Sequence, residues 1–278
     1  MNDSGISNLT IRTLGNTEVL LDGQAVQWRA ESARNLFFYL LSNPQGKRRE
    51  EIINALWDLE ACPTVSNRFR VTVHRARLAL GSKDAILEEH NRYRLAPFVL
   101  EATDTNTFYT GLDWAKRATP ANRIIELRDA LKSYQGHYLP LETTDWANEA
   151  RDQHRNAYVR AEIELSGLYC AAGACHLSSK ALARALRADP FIGENHHQKL
   201  MSCLSASEGK FAAIEHYRRY LAFLLYELDD TPMLETIALA QRIKNGERIC
   251  ACAKQQAQVL EAFKAPIMRQ PIMIAIPN

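Results

Sequence analysis

The chain lacks the sequence signatures of several large classes of protein. Its apolar runs are short, as in Leu36–Leu41, and none approaches the roughly 20 residues of a membrane-spanning helix. The opening residues Met-Asn-Asp-Ser-Gly do not show the basic-then-apolar pattern of a signal peptide. There is no glycine-rich phosphate loop, no G-x-S-x-G elbow and no H-E-x-x-H pair. These absences predict a cytoplasmic protein that needs no membrane, metal or cofactor and is not an enzyme.

Cysteine is scarce, with six residues and no C-x-x-C pair. A cytoplasmic protein keeps its thiols reduced, so the sequence predicts no disulfide framework. Cys170 and Cys175 lie in an alanine-rich helical context, where we expect them to act as small apolar side chains. Cys250 and Cys252 are the closest pair, and their spacing does not match a zinc signature.

Charge of either sign is not in large excess. The chain of 278 residues is long enough for two domains, and 46% hydrophobic with 24% charged residues is typical of globular proteins. The net charge is only +2, so any nucleic-acid surface must be local. Arginine and lysine concentrate in three places, which are Lys47–Arg49, the segment 66–80, and Arg92 with Arg94. We expect the first of these to be the solvated start of a helix.

The segment 66–80 contains no acidic residue. At 100° per residue, Phe69, Val73, Ala76 and Leu80 fall within about 60° of one another and predict a narrow buried stripe. The remaining surface carries Arg68, Arg70, Thr72, His74, Arg75 and Arg77. A short helix with a basic front fits the major groove of DNA, and the alternative is an ordinary solvated face.

The residues around this helix predict a winged helix-turn-helix. Three short strands lead, at Leu9–Leu14, Glu18–Leu21 and Ala25–Trp28. Two helices follow at Glu31–Ser42 and about Arg49–Trp57, and a loop, Asp58–Val65, leads to the basic helix. Extended segments on either side of His90-Asn91 then predict a β-hairpin, the wing, which makes residues 1–98 a DNA-binding domain.

The second half has helical periodicity throughout. Glycine and proline break it into helix pairs, and the turns at Gly173 and Gly209 lie 36 residues apart, which is typical of tetratricopeptide-like repeats. The fold class is therefore mainly α, with a helical array over 99–246 that offers a surface to a partner. Residues 247–278 are expected to form one more helix and a flexible tail.

This order of parts resembles the Streptomyces-antibiotic-regulatory-protein (SARP) type of transcriptional activator, over about residues 8–246. The matches in the winged-helix half are Leu14-Gly15 with Asp22-Gly23, Trp28, Ala55-Leu56-Trp57, the segment Asn67–Arg77, and Tyr93-Arg94-Leu95. The matches in the activator domain are Asp104, Phe108, Ala130-Leu131, Tyr134, Gly136, Leu139-Pro140, Trp146, Arg151, Ala188-Asp189-Pro190, Leu200-Met201, Gly209, Tyr217, Glu227-Leu228 and Pro232. The wing turn lacks the usual glycines, and the chain has no receiver domain.

The resemblance implies roles for individual residues. Arg75 is expected to bond a guanine base, since it points away from the buried stripe, and Val71 to touch a thymine methyl group. Thr72, His74 and Arg77 match positions that contact the DNA backbone. Arg68 and Arg70 either contact DNA or cap neighbouring acids. Arg92 and Arg94 are wing contacts, although Arg94 has an acidic partner within the domain as an alternative.

The implied function is a sequence-specific transcription activator that binds direct repeats on double-stranded DNA, as a homodimer at least when bound. Asp58, Leu59 and Glu60, in the loop before the basic helix, are candidates to contact RNA polymerase, and a plain connector is the alternative. The rival hypothesis is a helical-repeat adaptor whose N-terminal domain binds protein. A third hypothesis, an enzyme in the helical half, is not supported by any set of candidate catalytic residues.

Overall fold

The computed structural model describes residues 8–60 and 62–250. The chain divides into two compact units, Met1–Ala161 and Glu162–Asn278. Within the described residues, no helix combines the length and the apolar character needed to cross a bilayer.

Three antiparallel strands open the first unit. They are β1 (Leu9–Arg12), β2 (Glu18–Leu21) and β3 (Gln24–Ala25), in the order β1-β2-β3 with Leu9 opposite Leu21. β3 is shorter than the predicted strand, which was to run to Trp28. The ring of Trp28 lies 5.3 Å from that of Phe37, and this aromatic contact draws the chain away from the sheet and toward the next helix.

The winged helix follows. Its helices are α1 (Glu31–Ser42), α2 (Arg49–Trp57) and α3 (Pro63–Ala79), with a short strand β4 (Lys47–Arg48) between α1 and α2. Its wing is β5 (Ile86–Glu89) paired with β6 (Arg92–Leu95). Both α1 and α2 have the predicted bounds. α3 begins at Pro63, three residues before the predicted start, because a proline without an N–H group is well suited to the first helical position. The loop between α2 and α3 is correspondingly shorter.

Helices α4 (Pro97–Glu101), α5 (Asp104–Arg117) and α6 (Pro120–Leu131) continue the first unit. Asp104 joins α5 to the residues after β1. Its Oδ2 accepts hydrogen bonds from the backbone N–H groups of Thr13 and Leu14 at 2.7 and 2.8 Å, and its Oδ1 accepts one from the Thr13 hydroxyl at 2.8 Å. Because Thr13 is fully buried, this carboxylate satisfies donors that have no access to water.

Gly15 makes a second link within the same unit. Its N–H donates to the carbonyl of His137 at 3.0 Å, with the backbone at φ +91°. A Cβ at this position would lie 2.6 Å from the carbonyl carbon of Gln135, so only glycine fits. The leading strands are thereby held against the segment that follows α6.

The remaining helices pack in sequence order. A 3₁₀ turn (Asp145–Ala147) precedes α7 (Asn148–Ala171), and α8 (Cys175–Ala188), α9 (Glu194–Ser207), α10 (Lys210–Phe223) and α11 (Leu234–Lys244) follow, with a π-helical turn at Leu224–Leu228. In the second unit each helix from α8 to α11 packs on the next. A helical array of consecutive hairpins is confirmed. Residues 247–250 are not helical, and the rest of the predicted C-terminal helix and tail, 251–278, lies outside the described residues.

Candidate nucleic-acid interface

One buried aromatic residue fixes the orientation of α3. Phe69 is fully buried, and its ring lies 4.9 Å from that of Tyr93 on β6 and 6.4 Å from that of Trp57 at the end of α2. Val73 and Ala76 continue this buried face, and Leu80 closes it just beyond the helix. The apolar stripe expected from the sequence therefore holds α3 against the wing on one side and α2 on the other.

The opposite face of α3 is open to solvent. Arg70, Val71, His74 and Arg75 are all exposed, and the pairs 70/74 and 71/75 each lie one helical turn apart. Within residues 8–60 and 62–250, no acidic side chain forms an ion pair with Arg70 or Arg75. The four residues, here named the exposed strip, present two available guanidinium groups, an imidazole and an apolar side chain on one surface.

Thr72 does not belong to this surface. It is 2% exposed, and its hydroxyl donates to the carbonyl of Arg68 at 3.0 Å. Its expected position on the exposed basic face, with a contact to the DNA backbone, is therefore wrong. At 100° per residue Thr72 lies about 70° from the centre of the apolar stripe. Burial extends beyond the stripe, and α3 also packs on α1, which the helical period alone does not take into account.

Two other arginines of α3 have partners inside the domain. The guanidinium carbon of Arg68 lies 4.4 Å from the centre of the Trp57 ring, a cation–π contact that directs this exposed side chain toward α2. Arg77 is half-buried and donates two hydrogen bonds to the carbonyl of Ile86, at 3.1 and 2.6 Å. It therefore holds the first wing strand against α3. Their expected contacts with DNA stay predictions.

The wing contains a strand that the sequence analysis did not find. Lys47 and Arg48 form β4, which pairs with β6 so that Lys47 lies opposite Tyr93. The third residue of this cluster, Arg49, begins α2 as expected, and the two residues before it form a strand that was not predicted. Gly46, at φ +77°, permits the pairing because glycine has no Cβ. A Cβ at this position would lie 2.7 Å from the carbonyl oxygen of Tyr93. A two-residue edge strand is too short to give a periodic signal.

The wing arginines are engaged within the domain. Arg92 is exposed, and its Nη1 donates to the Gly46 carbonyl at 2.6 Å. Arg94 forms an ion pair with Glu89 at 3.1 Å, which is the acidic partner that the sequence left as an alternative. Their contacts with DNA also stay predictions.

The wing tip is built without glycine. His90 and Asn91 both have positive φ, 50° and 61°, as a two-residue hairpin turn requires. The Asn91 side chain donates to both carboxylate oxygens of Glu50, at 3.1 and 3.2 Å. The pKa of Glu50 is lowered, first by a hydrogen bond from its own backbone and then by Asn91. Burial, followed by a hydrogen bond to Glu88, raises the pKa of Tyr93 to about 12, so that its hydroxyl stays protonated at neutral pH.

The candidate polymerase residues lie at the surface. Asp58, Leu59 and Glu60 are all exposed, and Asp58 ends α2 in the left-handed conformation at φ 51°. Its N–H donates to the carbonyl of Asn54 at 2.8 Å. This backbone geometry presents three accessible side chains in succession between α2 and α3.

A winged helix with an open basic strip, continued by an array of helix pairs, defines a regulator of transcription. The chain belongs to the family of the bacterial transcriptional activator domain, whose sequence model matches residues 105–244, half of the chain. The SARP-type resemblance drawn from the sequence is confirmed. The matched region begins one residue into α5 and ends with α11.

The fold is also similar to that of a solved structure. The structure of Mycobacterium tuberculosis EmbR in complex with a low affinity phosphopeptide matches with a TM-score of 0.69 at 20% sequence identity. The match covers 92% of this chain and 70% of the EmbR chain. At this identity the likeness concerns the fold. A comparison with curated proteins finds no match.

Proposed function

We propose that this regulator binds double-stranded DNA through the exposed strip of α3, and that it activates transcription from promoter sites arranged as direct repeats. The observation that carries the proposal is the pair Arg70 and Arg75, both exposed and without an acidic partner among the described residues. A guanidinium group presented in this way bonds phosphate oxygens or the O6 and N7 atoms of guanine. The proposal makes the chain a DNA-binding protein without catalytic activity of its own.

The residues of the exposed strip take different roles in this proposal. Arg75 reads a base, and Val71, at 39% exposure, contacts a thymine methyl group. Arg70 and His74 bind the DNA backbone and fix the register of the helix in the groove. Additional positive charge near the phosphates comes from Arg68, Arg77, Arg92 and Arg94. Each of these side chains also keeps the partner within the domain that is described above. Thr72 takes no part.

Replacing Arg75 with alanine should weaken binding to the preferred site by about 10- to 100-fold, because a bidentate contact with one base contributes about 1–3 kcal/mol of discrimination. Binding to random DNA should change much less. The preferred site is first obtained by selection from a random duplex library. Dissociation constants are then measured on selected and random duplexes over a series of salt concentrations.

Arg219→Ala is the matched control, because Arg219 is an exposed arginine of α10 in the second unit. It should leave both affinities unchanged. An equal loss on selected and random DNA would make Arg75 a phosphate contact. In a plot of the logarithm of the binding constant against the logarithm of the salt concentration, each phosphate contact contributes a slope near −0.9. If the affinity of the wild-type protein for DNA does not fall with salt, the proposed DNA interface is contradicted. That result would favour the protein adaptor.

The segment Asp58–Glu60 is proposed to contact RNA polymerase. The triple variant Asp58→Asn, Leu59→Ala and Glu60→Gln removes the two charges and the apolar side chain. Asparagine tolerates the left-handed backbone conformation at position 58, whereas alanine disfavours it. Activation in a purified transcription assay should fall by about tenfold or more, as for the loss of roughly 1.4 kcal/mol of contact energy. DNA affinity should stay unchanged.

The control for this variant is Asp22→Asn, at another exposed aspartate with positive φ, in the turn between β2 and β3. It should preserve both activation and DNA affinity. Full activation by the triple variant would show that the segment is a connector. A parallel loss of DNA affinity and activation would assign the segment to the DNA interface.

Association of two protomers on DNA is the remaining part of the proposal. Large apolar side chains at the end of the helical array are 44% to 80% exposed, namely Leu225, Tyr226, Leu228, Met233, Leu234 and Ile237. Exposed apolar surface of this kind is typical of protein contact sites. It supports self-association through the second unit, which would multiply the limited specificity of a single winged helix.

A further inference from the structure

Two cysteines from distant parts of the sequence meet in the second unit. The sulfur of Cys175, the first residue of α8, lies 3.8 Å from the sulfur of Cys250, and 75 positions separate the two residues. A disulfide requires the sulfurs to approach to about 2.05 Å, so this pair has to close by roughly 1.8 Å. The alanine-rich sequence around Cys175 predicts only a small apolar side chain, and nothing near it in the sequence points to Cys250.

We propose that Cys175 and Cys250 form a reversible redox site, in which a peroxide converts the thiol contact into a disulfide. This inference is independent of DNA binding. It assigns to the chain a modification site that closes a large loop through α8, α9, α10 and α11.

The surroundings of the two sulfurs give them different roles. Cys175 is fully buried, whereas Cys250 is half-buried and lines a cleft of about 420 Å³ together with Lys210 and Arg248. A peroxide molecule therefore reaches Cys250 first. Lys210 and Arg248 place positive charge at the same cleft, and the thiolate is the reactive form of cysteine. Cys175 has no access to solvent, so it takes the role of the second thiol, which reacts only with an oxidised Cys250.

The chemistry balances with hydrogen peroxide as the oxidant. The Cys250 thiolate attacks one peroxide oxygen, the O–O bond breaks, and the products are a sulfenic acid and hydroxide. The Cys175 thiolate then attacks the Cys250 sulfur, the S–O bond breaks, and hydroxide leaves as the S–S bond forms. Peroxide is reduced to water, with protons supplied by the solvent, and the two thiols are oxidised. A small dithiol reverses the reaction.

A third cysteine of the same region is expected to stay reduced. Cys203 is buried, and its thiol donates to the Ser178 hydroxyl at 3.3 Å. Burial raises the pKa of Cys203 to about 11, so that little thiolate is present at neutral pH. Cys203 is therefore not expected to replace Cys175 or Cys250 in the disulfide.

The test uses full-length protein that carries Cys170→Ser and Cys252→Ser. These changes leave one cysteine in each tryptic peptide that contains Cys175 or Cys250. The reduced protein is treated with hydrogen peroxide, alkylated, digested and mapped by mass spectrometry without reduction. We expect a cross-link between the Cys175 and Cys250 peptides that dithiothreitol reverses. The Tm of the second unit should rise by about 10–20 °C on oxidation, as expected for a loop of this length in a unit of this size.

Further replacement of Cys175 or Cys250 by serine should abolish both the cross-link and the rise in Tm. Replacement of Cys62, an exposed cysteine of the first unit, should preserve them. A cross-link from Cys250 to Cys203 instead, irreversible oxidation of Cys250 alone, or tightly bound zinc in the wild-type protein would each overturn the proposal.

Discussion

Replacing Asp104 with alanine should lower the free energy of unfolding of the first unit by about 3–5 kcal/mol, because several buried donors lose a charged acceptor. The Asp104 carboxylate receives the two backbone N–H groups of Thr13 and Leu14 and the Thr13 hydroxyl. Thr13 has no access to water that would compensate. The measurement is urea unfolding of the full-length protein.

Tryptophan fluorescence makes this measurement specific to the first unit. All four tryptophans, Trp28, Trp57, Trp114 and Trp146, lie in Met1–Ala161. Asp104→Asn keeps one acceptor oxygen and should cost less than the alanine variant. The control is Asp113→Ala, at an exposed aspartate of the same helix that forms a surface ion pair with Lys116, and it should leave the transition unchanged. A transition in Asp104→Ala equal to that of the wild type would contradict the role given to this carboxylate.

Inserting half a helical turn of DNA, about 5 base pairs, between two direct repeats should weaken binding of the full-length protein by about 100-fold. Two protomers that associate through their helical arrays bind the second half-site at a high effective concentration. Rotating one half-site to the opposite side of the duplex removes this advantage. The affinity is measured on duplexes that differ only in the spacer.

A spacer lengthened by a full turn, roughly 10–10.5 base pairs, is the matched control, because it returns both half-sites to the same side of the duplex. It should recover much of the affinity lost with the half-turn insertion. Equal binding to all three duplexes would contradict association of two protomers on DNA. The helical array would then be a module for another partner.

Local patterns predicted most elements of the winged helix. The bounds of α1 and α2 follow from apolar periodicity that stops at Asn43-Pro44 and at Trp57, and the wing follows from alternation on both sides of His90-Asn91. The exposure of Arg70, Val71, His74 and Arg75 also follows from the helical period. These features depend only on residues close together in the sequence.

The features that the sequence did not predict depend on distant partners. Thr72 is buried in a helix that packs on α1, and a helical wheel does not represent such packing. Asp104 at a helix start is common, since acids favour the positive end of the helix dipole, and nothing local indicates its bonds to Thr13, 91 positions away. The Cys175–Cys250 contact is equally remote. The sequence did not predict β4 because a strand of two residues is too short to show the alternation of apolar and polar side chains.

The bonds from Asp104 to Thr13 and Leu14, and from Gly15 to His137, have a consequence for building hybrid regulators. These hydrogen bonds cross residue 98 and join the winged-helix half to the first helices of the activator domain. A chimera joined at residue 98 takes Thr13, Leu14 and Gly15 from one parent, and the residues at positions 104 and 137 from the other. Buried N–H and hydroxyl donors then lose their hydrogen-bond acceptors wherever the second parent differs. A junction near Ala161, where the first unit ends, keeps both halves of every such contact in one parent. The graftable part of this protein is thus the whole first unit rather than its winged helix.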